Sequence, residues 1–215
     1  MASMPLKPQY GPTLGRLLAP RWHAAPRVAR GMVIAAGGGL VVLAVVAVFA
    51  LWPAGFSYGG AAPFHFSYRG LYRVTPGPGE LVRIERRAGG RLEDSFAVAP
   101  LRLPPYAGGE SGELPLYASG YIKGLSSKYS GFVLRGEGKT RVNTVPAYNV
   151  LYTATVEGRE MYGRDVLLLP ERPEVRDGVA IEMLTSPSSS SKVTSPLEVA
   201  SAGVLEKPLE TFTFD

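Results

Sequence analysis

A chain of 215 residues holds one domain of ordinary size and little else. It has no cysteine, which excludes a disulfide framework, a thiol nucleophile, a cysteine-ligated metal and a lipidated N-terminal cysteine. The net charge of +5 comes wholly from Lys7, Arg16, Arg21, Arg27 and Arg30. Taking those five from 23 basic residues leaves 18, which the 18 acidic residues balance. All the acids lie after residue 52, so the larger part of the chain offers no basic face for nucleic acid.

Residues 1–30 carry Pro5, Pro8, Pro12, Pro20 and Pro26, a spacing that breaks helices and predicts a disordered basic tail. Gly31 to Trp52 follows without a charge or a proline. As a helix at ~1.5 Å per residue its 22 residues reach about 33 Å, enough for a hydrocarbon core of about 30 Å. The expectation is one transmembrane helix over residues 31–52. Basic residues stay on the cytoplasmic side of a span, so the five-to-zero bias places the N-terminus inside and the rest outside the cell membrane. A cleaved signal peptide, cut after Val48-Phe49-Ala50, is the competing reading. Gly31, Ala35 and Gly39 form a small-residue face that suits a weak homodimer.

Residues 53–63, rich in Gly, Ala and Pro, read as a linker, and an extracytoplasmic domain is expected over 64–215. Phe64, Phe66 and Tyr68 alternate as in a strand; Leu71 to Thr75, Leu81 to Glu85 and Ser95 to Ala99 are further strands. Glu113 to Tyr129 reads as a helix with Pro115 in its first turn. Leu114, Tyr117, Tyr121, Leu125 and Tyr129 form its apolar stripe. Gly131 to Arg135 is a strand. Pro146 to Glu157 and Arg159 to Leu169 form an antiparallel hairpin turned at Glu157-Gly158, and Val179 to Thr185 is the next strand. SPSSSSKVTS over 186–195 reads as a flexible loop. Ser195 with Glu198 predicts a capping box that opens a second helix over Pro196 to Glu206, and Thr211 to Phe214 closes with a short strand.

Three stretches carry a resemblance: the hairpin YNVLYTATVEGREMYGRDVLLLP, the strand GVAIEML, and the ending PLEVASAGVLEKPLETFTF. Their order resembles the PsbP-like fold, an α+β antiparallel sheet flanked by two helices. The resemblance implies a domain that binds other proteins or stabilises assemblies, here on a membrane span in place of a lipidated cysteine. It carries over no functional residue.

Enzyme chemistry is sparsely provided. Of two histidines only His65 lies beyond the span, and it alternates away from Phe64 and Phe66 toward solvent. No cofactor or metal site is expected, and no phosphate-binding loop is present. Glu157, Glu160, Asp165 and Glu182 fall on adjacent predicted strands, where two of them converging would make a carboxylate hydrolase. The plainer expectation pairs them with Arg159 and Arg164 on a solvated sheet face. The sequence therefore predicts a non-enzymatic envelope protein that binds a protein partner, with the hydrolase and a structural subunit of a membrane complex as the alternatives.

Overall fold

The computed structural model describes residues 26–103, 110–170 and 177–215. The chain divides into two compact units, Met1–Trp52 and Pro53–Asp215. In the first, helix α1 runs Arg27–Leu51, starting four residues before the expected span. The side chains of Val33, Val45, Val46, Val48 and Phe49 lie outside the described residues. With such positions set aside, no helix is long and apolar enough to cross a membrane. The tail over residues 1–25 lies outside the described residues as well.

The second unit is α+β with antiparallel sheets. Its first strand, β1 (Ala54–Tyr58), occupies what reads as linker; it pairs with β2 (Phe64–Tyr68), so that the folded unit begins at Pro53 and not near residue 64. Phe56 and Tyr58 explain the difference: the two aromatics of a Gly/Ala run pack on the core, Phe56 with ring centroids 6.0 and 5.5 Å from Phe64 and Phe66, and Tyr58 stacked 5.3 Å from Phe64. The last strand, β10 (Thr213–Phe214), lies on the other side of β2, giving a three-stranded sheet.

The main sheet has seven strands. They are β3 (Tyr72–Val74), β4 (Val82–Ala88), β5 (Arg91–Arg102), β6 (Ser130–Val142), β7 (Val145–Val156), β8 (Arg159–Leu168) and β9 (Asp177–Thr185). Their order is β3-β4-β5-β9-β8-β7-β6, every pairing antiparallel. The β7–β8 hairpin turns at Glu157-Gly158 as predicted, both residues with positive φ. Strand period 2 gives this sheet two buried faces. Val166 and Leu168 of β8 join Phe64, Phe66, Ile84, Phe96, Ile181 and Phe212 in one core. Met161 and Leu167 join Val150, Tyr152, Ala180 and Leu184 in the other.

Helix α2 (Glu110–Lys128) covers this second face. Leu114 and Leu125 of the predicted stripe are buried, and Tyr117, Tyr121 and Tyr129 pack beside them. The helix starts earlier than expected, so Pro115 stands inside it. The expected second helix over 196–206 is absent. Pro196–Glu198 makes one 3-10 turn, the chain then takes positive φ at Ala200 and Gly203, and a short helix α3 follows at Glu206–Glu210. The expected capping box does not form. Ser195 makes no side-chain cap bond, and the Glu198 carboxylate accepts from Thr194 N and Oγ1 at 2.6 and 2.9 Å.

The serine-rich segment is not loose. Ser186 N donates to Glu93 O at 2.7 Å, and Ser189 Oγ donates to both oxygens of buried Asp94 at 2.7 and 2.9 Å. Arg86 joins the same carboxylate, and Val193 is buried. A polar composition conceals this anchoring because the partner of the serines is a buried acid.

Candidate functional site

The β5–β9 and β8–β9 registers place Ala97, Glu182 and Asp165 in one row across three strands. The row lies on the face under α2. Of the four carboxylates expected to share a surface, the structure brings together these two, Asp165 and Glu182. Glu160 is exposed on the opposite face, and Glu157 holds Arg87 and the Leu92 N–H (3.1 Å) at the hairpin turn. The expected arginine partners go elsewhere. Arg159 pairs with Glu93 at 3.1 Å, and Arg164 donates to Asn149 Oδ1 at 3.2 Å and Val199 O at 3.0 Å.

Asp165 has no exposure at all. Its two oxygens accept from Tyr121 OH of α2 (2.8 Å) and Tyr152 OH of β7 (3.1 Å). Glu182 accepts from Lys128, the last residue of α2, at 2.6 Å. Tyr129 closes the group: Lys128 Nζ sits 5.2 Å from its ring centroid, and its ring stacks on Tyr152 at 5.8 Å. Gly163, opposite Tyr152 in the register, makes this possible, since a methyl group there would overlap the Tyr152 ring. Sequence reasoning found the acids and the tyrosine stripe but not Tyr152, Lys128 or Gly163. A glycine inside an otherwise continuous strand was the available signal.

The electrostatics follow from burial. Burial first, and the neighbouring Glu182 charge second, push the Asp165 carboxyl up to about 8, against the two phenol bonds that act to lower it. Burial, and then the charge of Asp165, drive Tyr121 and Tyr152 well above the usual phenol range, which keeps both as donors. Lys128 is raised: burial opposes its charge, and Glu182, with Tyr129 and Asp165, together outweighs burial. A carboxyl group titrating near neutrality is the right material for general acid–base chemistry. Here every face of it is covered by protein, so water and substrate are shut out.

His65 is exposed as expected. Its Nδ1 lies 2.5 Å from Asp215 Oδ1 and its Nε2 3.4 Å from Thr213 Oγ1, across the β2–β10 pair. The imidazole is about half exposed and the Thr213 hydroxyl donates to Thr211 O, so water competes at each member of the set. Among the described residues no three His, Asp or Glu side chains gather as a metal site would require.

No family model and no curated protein matches this chain. Solved structures do. The cyanobacterial PsbP (CyanoP) of Synechocystis sp. PCC 6803 is 12% identical over 76% of this chain and 92% of its own, with a TM-score of 0.51. LpqN of Mycobacterium tuberculosis, involved in cell envelope biogenesis, is 8% identical over 75% and 91% (TM-score 0.49). The Saccharomyces cerevisiae Ran-binding protein Mog1p is 11% identical over 76% and 95% (TM-score 0.46). At these identities the likeness speaks for fold alone, and the likeness to CyanoP carries it: the unit Pro53–Asp215 has a PsbP-like α/β fold.

Proposed function

We propose that this chain is a single-pass cell-membrane protein that displays its PsbP-like domain outside the cytoplasm, where the domain binds another envelope protein and performs no chemistry. The observation that carries the anchor is on α1. Leu40, Val41, Val42 and Leu43 are each more than 60% exposed. Four consecutive helical residues point in four directions, so a protein groove on one side leaves the rest uncovered; lipid covers all of them. The uncharged run of Gly31 to Trp52 and the basic residues before it support the same reading. Two copies approaching through Gly31, Ala35 and Gly39 accompany it, because the face at Gly31 and Gly39 is open.

The sealed Asp165 supports binding over catalysis. The second reading, a carboxylate hydrolase, draws on the same acid and its raised pKa. Ser3→Cys and Leu197→Cys, each alone, test the topology with an impermeant thiol reagent on intact cells. Labelling at 197 and not at 3 is expected, and the reverse refutes the arrangement. Hydrolysis by the purified chain that vanishes in Asp165→Asn, with the fold intact, would replace binding by catalysis.

A further inference from the structure

Where the β6–β7 turn meets the segment after the 3-10 turn, a cavity of about 250 Å³ is bordered by Arg141, Asn143, Arg164, Ala200, Ser201 and Glu210. Arg164 is half-buried on β8, and its two bonds go to neutral acceptors, Asn149 Oδ1 and Val199 O. Arg141 donates to another neutral acceptor, Thr144 O, at 2.9 Å. Among the described residues neither arginine has a carboxylate within ion-pair distance. A cation withdrawn from water without a counter-charge is destabilising, and burial lowers the Arg164 guanidinium below its usual range accordingly.

The backbone at this cavity is also unusual. Asn143, Glu157 and Ala200 are the described non-glycine residues with positive φ, and two of them line it. Asn143 is at home in a hairpin turn. Ala200, at φ 61, belongs to no hairpin, and a left-handed alanine is strained. That strain sits directly after the carbonyl that receives Arg164, and such strain concentrates at binding sites. The wall is rigid as well: Asn143 Nδ2 donates to Phe212 O at 2.6 Å and ties the turn to the C-terminal segment.

We propose that this cavity binds a carboxylate side chain from an acidic segment of the partner protein, with the Arg141 and Arg164 guanidiniums as its donors. Guanidinium forks match carboxylate and phosphate alike. Charge decides between them. Two arginines and Glu210 sum to +1 at the cavity, which one carboxylate balances and a phosphate dianion exceeds. The proposal rests on the reading of the domain as a protein-binding module.

The test titrates the full chain in detergent with acetyl-Gly-Glu-Gly-amide, acetyl-Gly-Gln-Gly-amide and inorganic phosphate, following the arginine Nε–H resonances by NMR. Saturable shifts of Arg164 and Arg141 with the glutamate peptide are expected, with at least tenfold weaker binding of the glutamine peptide and of phosphate. Arg141→Gln, an exposed change that leaves packing alone, should weaken the glutamate peptide at least threefold, and Glu210→Gln should tighten it severalfold. Absent shifts, equal response to both peptides, or tighter binding of phosphate overturns the proposal. Crosslinking in the native membrane separates the two layers. A partner captured equally by the wild type and by Arg141→Gln/Arg164→Lys leaves the binding reading standing and removes the cavity from it. Peptide binding at the arginines with no partner captured does the opposite.

Discussion

Replacing Asp165 with Asn should change how stability depends on pH more than it changes stability itself. An open-chain aspartate titrates near ~3.9, while the folded Asp165 carboxyl titrates at about 8. Between those values the unfolded chain has released a proton that the folded one keeps. The contribution of this group is therefore full below the unfolded pKa and is lost as pH rises toward the folded one. The window covers roughly four pH units at about 1.4 kcal/mol each, a ceiling on the order of 5 kcal/mol. The asparagine variant has no such proton. It loses about 1 kcal/mol at every pH because its amide nitrogen meets one of the two phenols where an acceptor is needed. Burial acts to raise Glu80 and Glu93, but Arg83 with the Gly77 N–H and Arg159 with the Ser188 hydroxyl together hold them below the usual carboxylate value, and both proteins share these groups, so they drop out of the comparison. Urea midpoints of the full chain in non-ionic detergent, taken from pH 5 to pH 8 at constant m, give the comparison. The difference between the two proteins should move by up to about 4 kcal/mol in favour of the variant. A difference constant to within about 1 kcal/mol across that range would show that Asp165 is ionised in the fold and would refute the account of the site.

Gly163→Ala should destabilise the domain by about 1–3 kcal/mol and redshift or quench tyrosine emission as the Tyr152 ring is displaced, whereas an unchanged midpoint would mean that the ring moves freely. A fragment beginning at residue 64 should be about 2–3 kcal/mol less stable than one beginning at 53, because it lacks β1 and the Phe56 contacts; equal urea midpoints would return residues 54–58 to the status of a linker. Ser189→Ala should cost about 1–3 kcal/mol by removing a donor from buried Asp94, and protease cleavage within 187–194 should accelerate; no change in either measurement would restore the flexible loop.

What was legible in the sequence followed periodicity. Phe64 and Phe66, the alternation of β8 and the stripe of α2 each bury one face, and burial writes itself into residue type at fixed spacing. The second half of β6, GEGKTRV, was invisible for the converse reason. It is an edge strand whose side chains, up to the buried Val142 that ends it, alternate between exposed and half-exposed, so little in its composition must be apolar. The C-terminal region misled because Ser195 and Glu198 are a valid local signal that loses to the backbone turns at Ala200 and Gly203. The site was half visible. Adjacent strands brought two acids together, as their spacing allowed, but Tyr152 and Tyr121 reach Asp165 from 13 and 44 residues away, and no local pattern encodes those distances.

The three-stranded sheet imposes an order of events on folding. β2 has β1 as a close neighbour in sequence, yet its other neighbour is β10, and the Thr213–His65 contact spans 148 residues. Phe64 stacks on Phe212 at 5.2 Å, so its core also waits for that late segment. The seven-stranded sheet has every one of its strands in hand by Thr185, but the layer that seals one of its faces does not. Contacts of such separation form slowly, and an emerging chain reaches residue 185 with Ile84, Phe96 and Ile181 still uncovered by Phe212. During synthesis the half-built domain therefore presents an apolar sheet face until residues 186–215 arrive, and that stage is the one most open to aggregation.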